Sequence, residues 1–415
     1  MKNVPPPVSF AFSVTLLSLT LLGGVALAGT ARGAELFRAR QYGPAMRELL
    51  APATAGDSAA QVYLGQLYEN GYGVKADDKQ AAVWYTKAAT AGNADAMNFL
   101  GGLYANGQGV PKNPAQAMVW IRRGVAAGSK DALDSLGRMY EYGIGVKADY
   151  KQAAVWYQKA AAAGSTDGMD NLGQLYNYGL GLPYDNKQAT FWFHRAADAG
   201  NSAGIVHLGS QYETGSGITE DHKLAATLYQ KAARAGSTEG MFQLGMAFEN
   251  GMGVPQDYGR ALSWHRQGAA AGNSKCMARI AQMYTRGQGV PRDAVQTAVW
   301  WRKAAEAGNP RGMENLGAAY MQGLGVKQDY TQAAAWYLKA SNQGDVSSMT
   351  DLGRLYLSGQ GVKQDYAQAA AWFLKGAQGQ DTDCMAELAK LYASGLGVPK
   401  DPAKAKYWQD KADGN

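Results

Sequence analysis

The stretch GIGVKADY at residues 143–150 places two glycines, a lysine and an aspartate within eight positions. Such residues could cradle a phosphate or supply half of a metal site. A phosphate-binding loop, however, requires a preceding strand and a Gly-Lys-Ser/Thr ending, and a calcium loop requires alternating oxygen ligands; neither is present. Nearly the same phrase returns as GVKQDY at 325–330 and again at 361–366. This recurrence favours turn chemistry over a ligand site.

A second stretch, GNSAG at 200–204, matches the G-x-S-x-G pattern of hydrolases by its letters. A nucleophile elbow requires a strand before the serine. Here Asn201 is placed to cap a helix, and Ser202 would be the first residue of that helix. The match therefore predicts a helix start and no nucleophile.

Ten G-x-G triplets recur at a constant step of 36 residues, from GYG at 71–73 to GLG at 395–397. No insertion or deletion interrupts the series. A constant period of this length is typical of a solenoid, in which similar supersecondary units stack on their neighbours. We therefore predict an all-α fold, a right-handed superhelical solenoid of ten helix–turn–helix repeats over residues 57–415.

Each repeat is predicted to contain two helices, and a capping residue precedes each of them. Asp, Asn or Ser stands before the first helix, as at Asp57, and Asp or Asn stands before the second, as at Asp149. The first glycine of each triplet ends the first helix because glycine adopts a left-handed conformation at the least cost. GIGVKADY is thus predicted to end one helix and to cap the next.

The predicted core follows from helical periodicity. In the first helix, Leu64 and Tyr68 lie four residues apart and share a face, and in the second helix Trp84 follows Ala81 by three residues. The same residue types return at these registers in other repeats. We therefore expect the tryptophans to fill the space between repeats and not to form a ligand platform.

Leu228 breaks the tryptophan pattern, because it stands where the other repeats have tryptophan. Either Phe191 or Phe193 fills the lost volume, or a shallow pocket or a bend opens there. Leu228→Trp would be tolerated if a void exists.

The remaining reactive side chains show no arrangement for chemistry. The two cysteines, Cys276 and Cys384, lie three repeats apart, too far for a disulfide, and are predicted to be small buried thiols. The four histidines occupy four different registers without the paired spacing of a metal site; they are His194, His207, His222 and His265. The sequence predicts no enzyme, no metal and no cofactor.

Composition limits the partners. With 46% hydrophobic and 18% charged residues, the chain is typical of an ordered protein. Its net charge of +6 is small for 415 residues, and it contains no run of lysine and arginine. These features argue against a nucleic-acid partner.

The first residues predict export. Lys2 precedes a mostly apolar run at 10–22, and Ala26-Leu27-Ala28 has the small-x-small pattern of a signal-peptidase site. Cleavage after Ala28 would leave a chain that begins at Gly29. The alternative is an uncleaved anchor over residues 10–28. No second apolar stretch of that length follows, so the predicted location is periplasmic or secreted, with no membrane span after cleavage.

The segment LGRMYEYGIGVKADYKQAAVWYQKAAAAG at 136–164 resembles the Sel1-like repeat family, long-looped relatives of tetratricopeptide repeats. The resemblance covers about residues 57–413. It implies a non-catalytic adaptor in assembly, signalling or host interaction, and an exported bacterial member is expected here. One subgroup of that family is cysteine-rich, disulfide-bonded and linked to β-lactam binding. This chain lacks that cysteine pattern.

The predicted domain organisation has three parts: a signal peptide at 1–28, an N-terminal partial repeat or capping helix at 29–56, and the ten repeats at 57–415. The final helix, 402–413, carries charged residues that suit a solvated end, which favours a monomer. These residues are Lys404, Lys406, Asp410 and Lys411.

By analogy with related solenoids, the first helix of each repeat is expected to line the concave surface. Most repeats place polar or small residues on the variable face of this helix, but several repeats carry apolar residues there. Exposed apolar clusters mark interaction sites, unless neighbouring side chains cover them. The candidate partner-binding residues are Val206, Phe242, Met246, Met321 and Leu357.

Two classes of function follow from this reading. The favoured one is an exported scaffold whose concave groove binds an unidentified protein or peptide. The alternative is a cell-envelope glycan binder, of peptidoglycan or an exopolysaccharide, for which Trp301, beside the register tryptophan Trp300, is the candidate exposed aromatic. A hydrolase such as a β-lactamase finds no supporting residues.

Overall fold

A computed structural model of the chain describes residues 26–414, with side chains from residue 29 onward. The predicted signal peptide, residues 1–28, therefore lies outside the described residues apart from the backbone of its last three positions. Within 26–414 the backbone forms α-helices joined by turns and short loops, without a β-strand, which confirms the all-α prediction. The chain divides into two compact units, Met1–Glu220 and Asp221–Asn415, and the boundary falls between the two helices of the fifth repeat.

Unit 1 contains eleven helices among its described residues. They are α1 (Ala26–Arg38), α2 (Tyr42–Thr54), α3 (Ser58–Asn70), α4 (Asp78–Thr90), α5 (Ala94–Asn106), α6 (Pro114–Ala126), α7 (Lys130–Tyr142), α8 (Tyr150–Ala162), α9 (Thr166–Tyr178), α10 (Asn186–Asp198) and α11 (Ser202–Thr214).

Unit 2 contains another eleven helices among its described residues. They are α12 (His222–Arg234), α13 (Thr238–Asn250), α14 (Tyr258–Ala270), α15 (Ser274–Arg286), α16 (Ala294–Glu306), α17 (Pro310–Gln322), α18 (Tyr330–Asn342), α19 (Val346–Ser358), α20 (Tyr366–Gln378), α21 (Thr382–Ser394) and α22 (Pro402–Ala412). From α3 onward, odd-numbered helices are the first and even-numbered helices the second of each repeat.

Local capping chemistry sets the helix bounds. Every helix from α3 to α22 begins after the predicted capping residue, whose side chain accepts a hydrogen bond from the first turn. Asp149 Oδ1, for example, accepts from the backbone N–H groups of Lys151 and Gln152 at 2.9 and 3.0 Å. The predicted caps are therefore confirmed.

The two glycines of each G-x-G triplet have different roles. Gly143 ends α7 with φ of 69°, the left-handed conformation that a residue with a side chain adopts at a cost. Gly145 is also left-handed, and a Cβ atom there would collide with the backbone carbonyl of Pro114 at the start of the preceding second helix. The GIGVKADY stretch is therefore a helix end and an inter-repeat contact.

Consecutive helices pack side by side through each unit. In unit 1 the first helices of neighbouring repeats also contact each other directly, in the pairs α5–α7, α7–α9 and α9–α11, and in unit 2 α19 contacts α21. Within either unit's described residues, no pair of second helices is in comparably close contact. This crowding favours the expectation that the first helices lie on the inner side of the stack.

The hydrophobic core runs between repeats. Trp84 packs against Ala45 and Leu49 of the preceding helix pair, as predicted for the tryptophan register. In most repeats the residue after the register tryptophan is buried more deeply than the tryptophan. One such residue is Tyr157, whose ring lies against Gly137, where a Cβ atom would stand 2.6 Å from the ring. The tight fit of ring on glycine was not anticipated from the sequence.

A cation lies over most of the tryptophans. Lys87 Nζ is 4.3 Å from the ring centroid of Trp84, one helical turn earlier, and Lys159 Nζ is 4.1 Å from that of Trp156. These contacts add cation–π attraction on the outer side of the second helices.

The segment 29–56 contains most of α1 and all of α2. Phe37 and Leu49 share one core cluster with Leu64 of the first repeat, and Thr30 Oγ1 donates to Asp57 Oδ2 at 2.9 Å. The segment thus continues the helix-pair pattern before the first repeat; its role as a cap stays a prediction.

Candidate functional site

The five candidate partner-binding residues do not form one patch. Phe242 and Met246 lie one turn apart on α13 and are half-buried. Met321 and Leu357 are also half-buried, at the ends of α17 and α19, where both pack against core clusters. Val206 is only 6% exposed, so the expectation that it presents an apolar group to solvent is wrong.

Contacts between neighbouring first helices explain the burial of Val206. The same register holds Asp134 on α7 and Asp170 on α9. Asn171 Nδ2 donates to Asp134 Oδ1 at 2.8 Å, and His207 Nδ1 is 2.7 Å from Asp170 Oδ1. Each of these pairs joins successive first helices. This register therefore faces the neighbouring repeat in unit 1 and is not part of an open surface.

The electrostatics of Asp134 are unusual for a carboxyl group. Burial raises its pKa to about 7; Arg138 opposes the rise and Asp167 adds to it. The hydrogen bond from Asn171 favours the charged form but does not offset burial. Asp134 therefore changes charge near neutral pH.

The Phe242 ring in unit 2 lies close to the side chains of His265 and Lys275. Its centroid is 5.8 Å from that of the His265 ring, and Lys275 Nζ is 5.6 Å from the Phe242 centroid. Met246 follows on the same side of α13. These two half-buried side chains can contribute apolar contact area while their other face remains packed.

Beside Phe242, the side chains of His265, Glu249 and Arg279 form one hydrogen-bonded group. His265 Nε2 is 2.8 Å from Glu249 Oε1, and both residues are almost fully buried. Arg279 clamps the same carboxylate, with Nε 3.0 Å from Oε1 and Nη2 2.9 Å from Oε2. Burial opposes ionisation of Glu249, but the hydrogen bonds from His265 and Arg279 outweigh it and lower its pKa.

The sequence carried a signal for this group that the histidine spacing alone did not show. In two earlier repeats a tyrosine at the His265 register donates to a glutamate 16 residues before it, in the pairs Tyr85–Glu69 and Tyr157–Glu141. His265 and Glu249 repeat that spacing, with imidazole in place of phenol. Comparison of registers between repeats would have predicted the pair.

Among the described residues, the GNSAG stretch does not form a nucleophile elbow. Ser202 is the first residue of α11, and Asn201 Oδ1 accepts from the Gly204 N–H at 2.8 Å, so the predicted helix start at GNSAG is confirmed. Within residues 29–414, no group of three or more His, Cys, Asp and Glu side chains is placed to hold a metal ion.

Both cysteines are free and buried, as predicted. Burial raises the pKa of the Cys276 and Cys384 thiols to about 12. A thiol that stays protonated is a poor nucleophile and a poor metal ligand.

The glycan candidate Trp301 is buried, with 5% of its surface exposed, and packs with Ala281 and Leu316 in the core. It occupies the buried register that holds Tyr157 and Phe193 in other repeats. The side chains of those two residues pack against the first helix of their own repeat. The expectation of an exposed aromatic platform at this residue is therefore wrong.

No helix within the described range combines the length and the apolar composition that a bilayer crossing requires. This finding covers only the part of the chain that the structure describes.

The solved structures that resemble the chain include two with 30% sequence identity or more. One is a protective antigen present in uropathogenic Escherichia coli strains that displays an SLR fold; it is 34% identical, with a TM-score of 0.53, over 94% of this chain and 85% of that one. The other is a Sel1 repeat protein from Oxalobacter formigenes, 30% identical with a TM-score of 0.52, over 59% of this chain and 99% of that one. No curated protein matches the chain.

The Sel1 repeat model matches ten consecutive segments, the first at 58–93 and the last at 382–412, without a gap between them. Sel1 repeat proteins generally mediate protein–protein interactions, and this solenoid fold is typically non-catalytic. The matched segments coincide with the ten predicted repeats and cover most of the 415 residues; the chain belongs to the Sel1 repeat family.

Proposed function

We propose that the chain is an exported, non-catalytic scaffold that binds a protein or peptide through the face formed by its first helices. One observation carries the proposal. Caps, glycines and core registers repeat along the chain, whereas the first helices change residue type from repeat to repeat on their remaining face. At the register that holds the half-buried Gln174 in the fourth repeat, the sixth holds Met246, which is also half-buried, and Phe242 lies one turn before it.

Export is the second part of the proposal, and it rests on Lys2, the apolar run at 10–22 and the Ala26-Leu27-Ala28 pattern. The E. coli relative is described as a protective antigen, and we take this description as support for export of this chain. Mass spectrometry of the protein from fractionated bacterial cells should find a mature N-terminus at Gly29 in the periplasm or medium. Recovery of an intact Met1 N-terminus in the membrane fraction would replace this proposal with an anchored protein.

Binding through the first helices can be tested by photocrosslinking of the full-length chain in bacterial cells. A photoreactive residue at Met246 or Tyr178 reports on the first helices. The matched controls are Val119 and Val155, which are exposed on the second helices α6 and α8. We expect discrete protein adducts from the first two positions and none from the controls.

Loss of the adduct in a Phe242→Asp/Met246→Asp variant that keeps the wild-type melting temperature would support binding at α13. Adducts formed only by the control positions would overturn the proposal. An absence of protein adducts, together with retention of the purified chain on cell wall or exported polysaccharide, would favour the glycan-binding alternative. That alternative has lost its aromatic candidate, because Trp301 is buried.

A further inference from the structure

A cavity of about 470 Å³ lies within unit 2, between the seventh and eighth repeats. Its walls come from the last turns of α15, the first two turns of α16 and the second half of α17. The five candidate partner-binding residues are not among those that line it. A cavity of this size is typical of a site for a small ligand or for a side chain of a partner.

Two small side chains on α17 leave this space open. Both Ala318 and Ala319 line the cavity. The register of Ala319 holds Leu or Met in seven other repeats, and the register of Ala318 holds Gln, Arg, Lys or Met in seven. The eighth repeat is the only one with alanine at both registers. The cavity therefore lies where most repeats place longer side chains.

The packing of Trp301 in the seventh repeat keeps the core from closing this space. At its register, most other repeats pack a smaller side chain on a glycine of the first helix, as Tyr157 does on Gly137. The seventh repeat has Ala281 at the glycine position. Because the Ala281 Cβ atom occupies part of that space, the larger indole cannot lie as close to α15. The cavity lies between α15 and α17, which do not approach each other as closely as α19 and α21 do.

The apolar part of the lining includes Trp301, Ala319 and Leu324. Trp301 is mostly packed in the core, with 5% of its surface exposed, whereas 56% of Leu324 is exposed. Leu324 therefore stands at the mouth of the cavity. An exposed leucine beside a cavity is typical of a surface that a protein partner covers.

Three polar side chains that line the cavity present hydrogen-bond acceptors. Thr285 and Thr297 each donate the hydroxyl proton to a carbonyl one turn earlier, at 2.9 and 2.8 Å. Asn315 Nδ2 likewise donates to a carbonyl of α17 at 2.8 Å, which orients the amide and leaves Oδ1 as an acceptor. A ligand that brings an O–H or N–H donor therefore finds acceptors here.

We propose that this cavity binds an aromatic side chain with a polar tip, tyrosine or tryptophan, of the partner protein. The inference rests on the proposed function and names the group that anchors the partner. The ring contacts the apolar part of the lining, and its O–H or N–H donates to Thr285, Thr297 or Asn315. The lining contains one cation, Arg292, and one carboxylate, Asp293, and this balance favours a neutral ligand.

The probe is the peptide acetyl-Gly-Tyr-Gly-amide, titrated into the purified chain and followed by NMR of the tryptophan indole N–H groups. Trp301→Phe identifies the Trp301 signal. We expect the tyrosine peptide to shift that signal with an affinity of about millimolar order, because only one side chain is buried. The same peptide with leucine in place of tyrosine should bind more weakly, and neither the aspartate peptide nor N-acetylglucosamine should shift the signal.

Variants locate the site. Ala319→Leu introduces the side chain that other repeats hold at this register, and it should weaken tyrosine-peptide binding by about tenfold or more. The melting temperature should stay unchanged or rise, because the leucine fills empty space. Ala318→Gln, a milder variant with the residue that three other repeats hold there, should also weaken binding. Ala367→Leu, at an exposed alanine of α20 outside the cavity, is the matched control and should change neither quantity.

The inference would be overturned if the tyrosine peptide left the Trp301 signal unshifted, or if Ala319→Leu clearly lowered the melting temperature. Equal effects of Ala319→Leu and Ala367→Leu on binding would overturn it as well, and so would a shift caused by N-acetylglucosamine and not by the peptide. If photocrosslinking at Met246 still captures a protein in any of these cases, the scaffold function stands and only the aromatic anchor is wrong.

Discussion

Removal of Arg279 would leave the Glu249 carboxylate buried with a single strong partner. Arg279→Met keeps the length and apolar stem of the side chain and deletes the guanidinium group. Three hydrogen bonds of 2.9 to 3.1 Å to the two carboxylate oxygens are lost. His265 Nε2 then remains as the nearby partner, and Glu249 is almost fully buried.

The expected cost follows from burial and geometry. Breaking a buried ion pair by removal of one partner costs about 3–5 kcal/mol. The Arg279 side chain is partly exposed and His265 still bonds to the carboxylate, so the expected loss lies at or just below the lower end of this range. We expect the free energy of unfolding at pH 7 to fall by about 2–3 kcal/mol.

The pH dependence has a defined sign. The pKa of Glu249 is lowered in the folded chain, so its ionisation stabilises the fold above the ordinary glutamate value of about 4.3. This contribution is lost as the pH falls through the folded pKa. The difference between wild type and Arg279→Met should therefore shrink to less than about 1 kcal/mol near pH 3.

Urea unfolding followed by circular dichroism gives the overall change. Hydrogen exchange of α13 to α15 gives the local one, because the stability of a repeat stack is a sum over neighbouring repeats. Arg286→Met, at an exposed position on the same helix, is the matched control and should stay within about 0.5 kcal/mol of wild type. Adding Glu249→Gln to Arg279→Met should recover about 1–2 kcal/mol, since the uncompensated charge is gone. The reasoning would be refuted if the changes in free energy of unfolding from Arg279→Met and Glu249→Gln simply added in the double variant. It would also be refuted if Arg279→Met lost the same free energy of unfolding at pH 7 and at pH 3.

Three further outcomes are expected. Between pH 5 and pH 9, the free energy of unfolding of the wild type should fall by about 2–3 kcal/mol more than that of Asp134→Asn. The reason is that the folded chain keeps the Asp134 proton up to about pH 7, whereas the unfolded chain has already lost it. Urea unfolding at several pH values measures this difference, and parallel pH profiles would contradict it. Gly137→Ala should lower the free energy of unfolding by about 1–2 kcal/mol, because the added Cβ atom clashes with the buried Tyr157 ring. The control Gly43→Ala, with open space around it, should leave the stability unchanged or raise it. Thermal melting measures both. Leu228→Trp should leave the melting temperature unchanged or raise it through a cation–π contact with Lys231, and a clear fall would show that no space exists there.

The fold could be predicted from the sequence because its determinants are local. The cap at Asp149 and the left-handed Gly143 act within one turn of the backbone, and they recur every 36 residues. Repetition turned these weak local preferences into a firm prediction of helix bounds. The absence of a disulfide between the two cysteines followed from the same period, since three repeats separate them.

The candidate site was predicted less well, because exposure depends on what a neighbouring helix covers. Val206 and Trp301 were judged by residue type, and both are buried. The exposure of Tyr178 was not predicted, because composition does not distinguish an exposed tyrosine from one that packs in the core.

The sequence by itself determined the helices, their ends, the period and the residue types available at each register, since these depend on interactions between residues close along the chain. Only the tertiary structure decided which registers face a neighbouring repeat and which face solvent. The close approach of neighbouring first helices is the physical reason. It brings Asn171 into contact with Asp134 and Arg279 into contact with Glu249, whereas Tyr178 stays exposed. Such contacts join residues about 30 to 37 positions apart, where no local preference of the backbone acts.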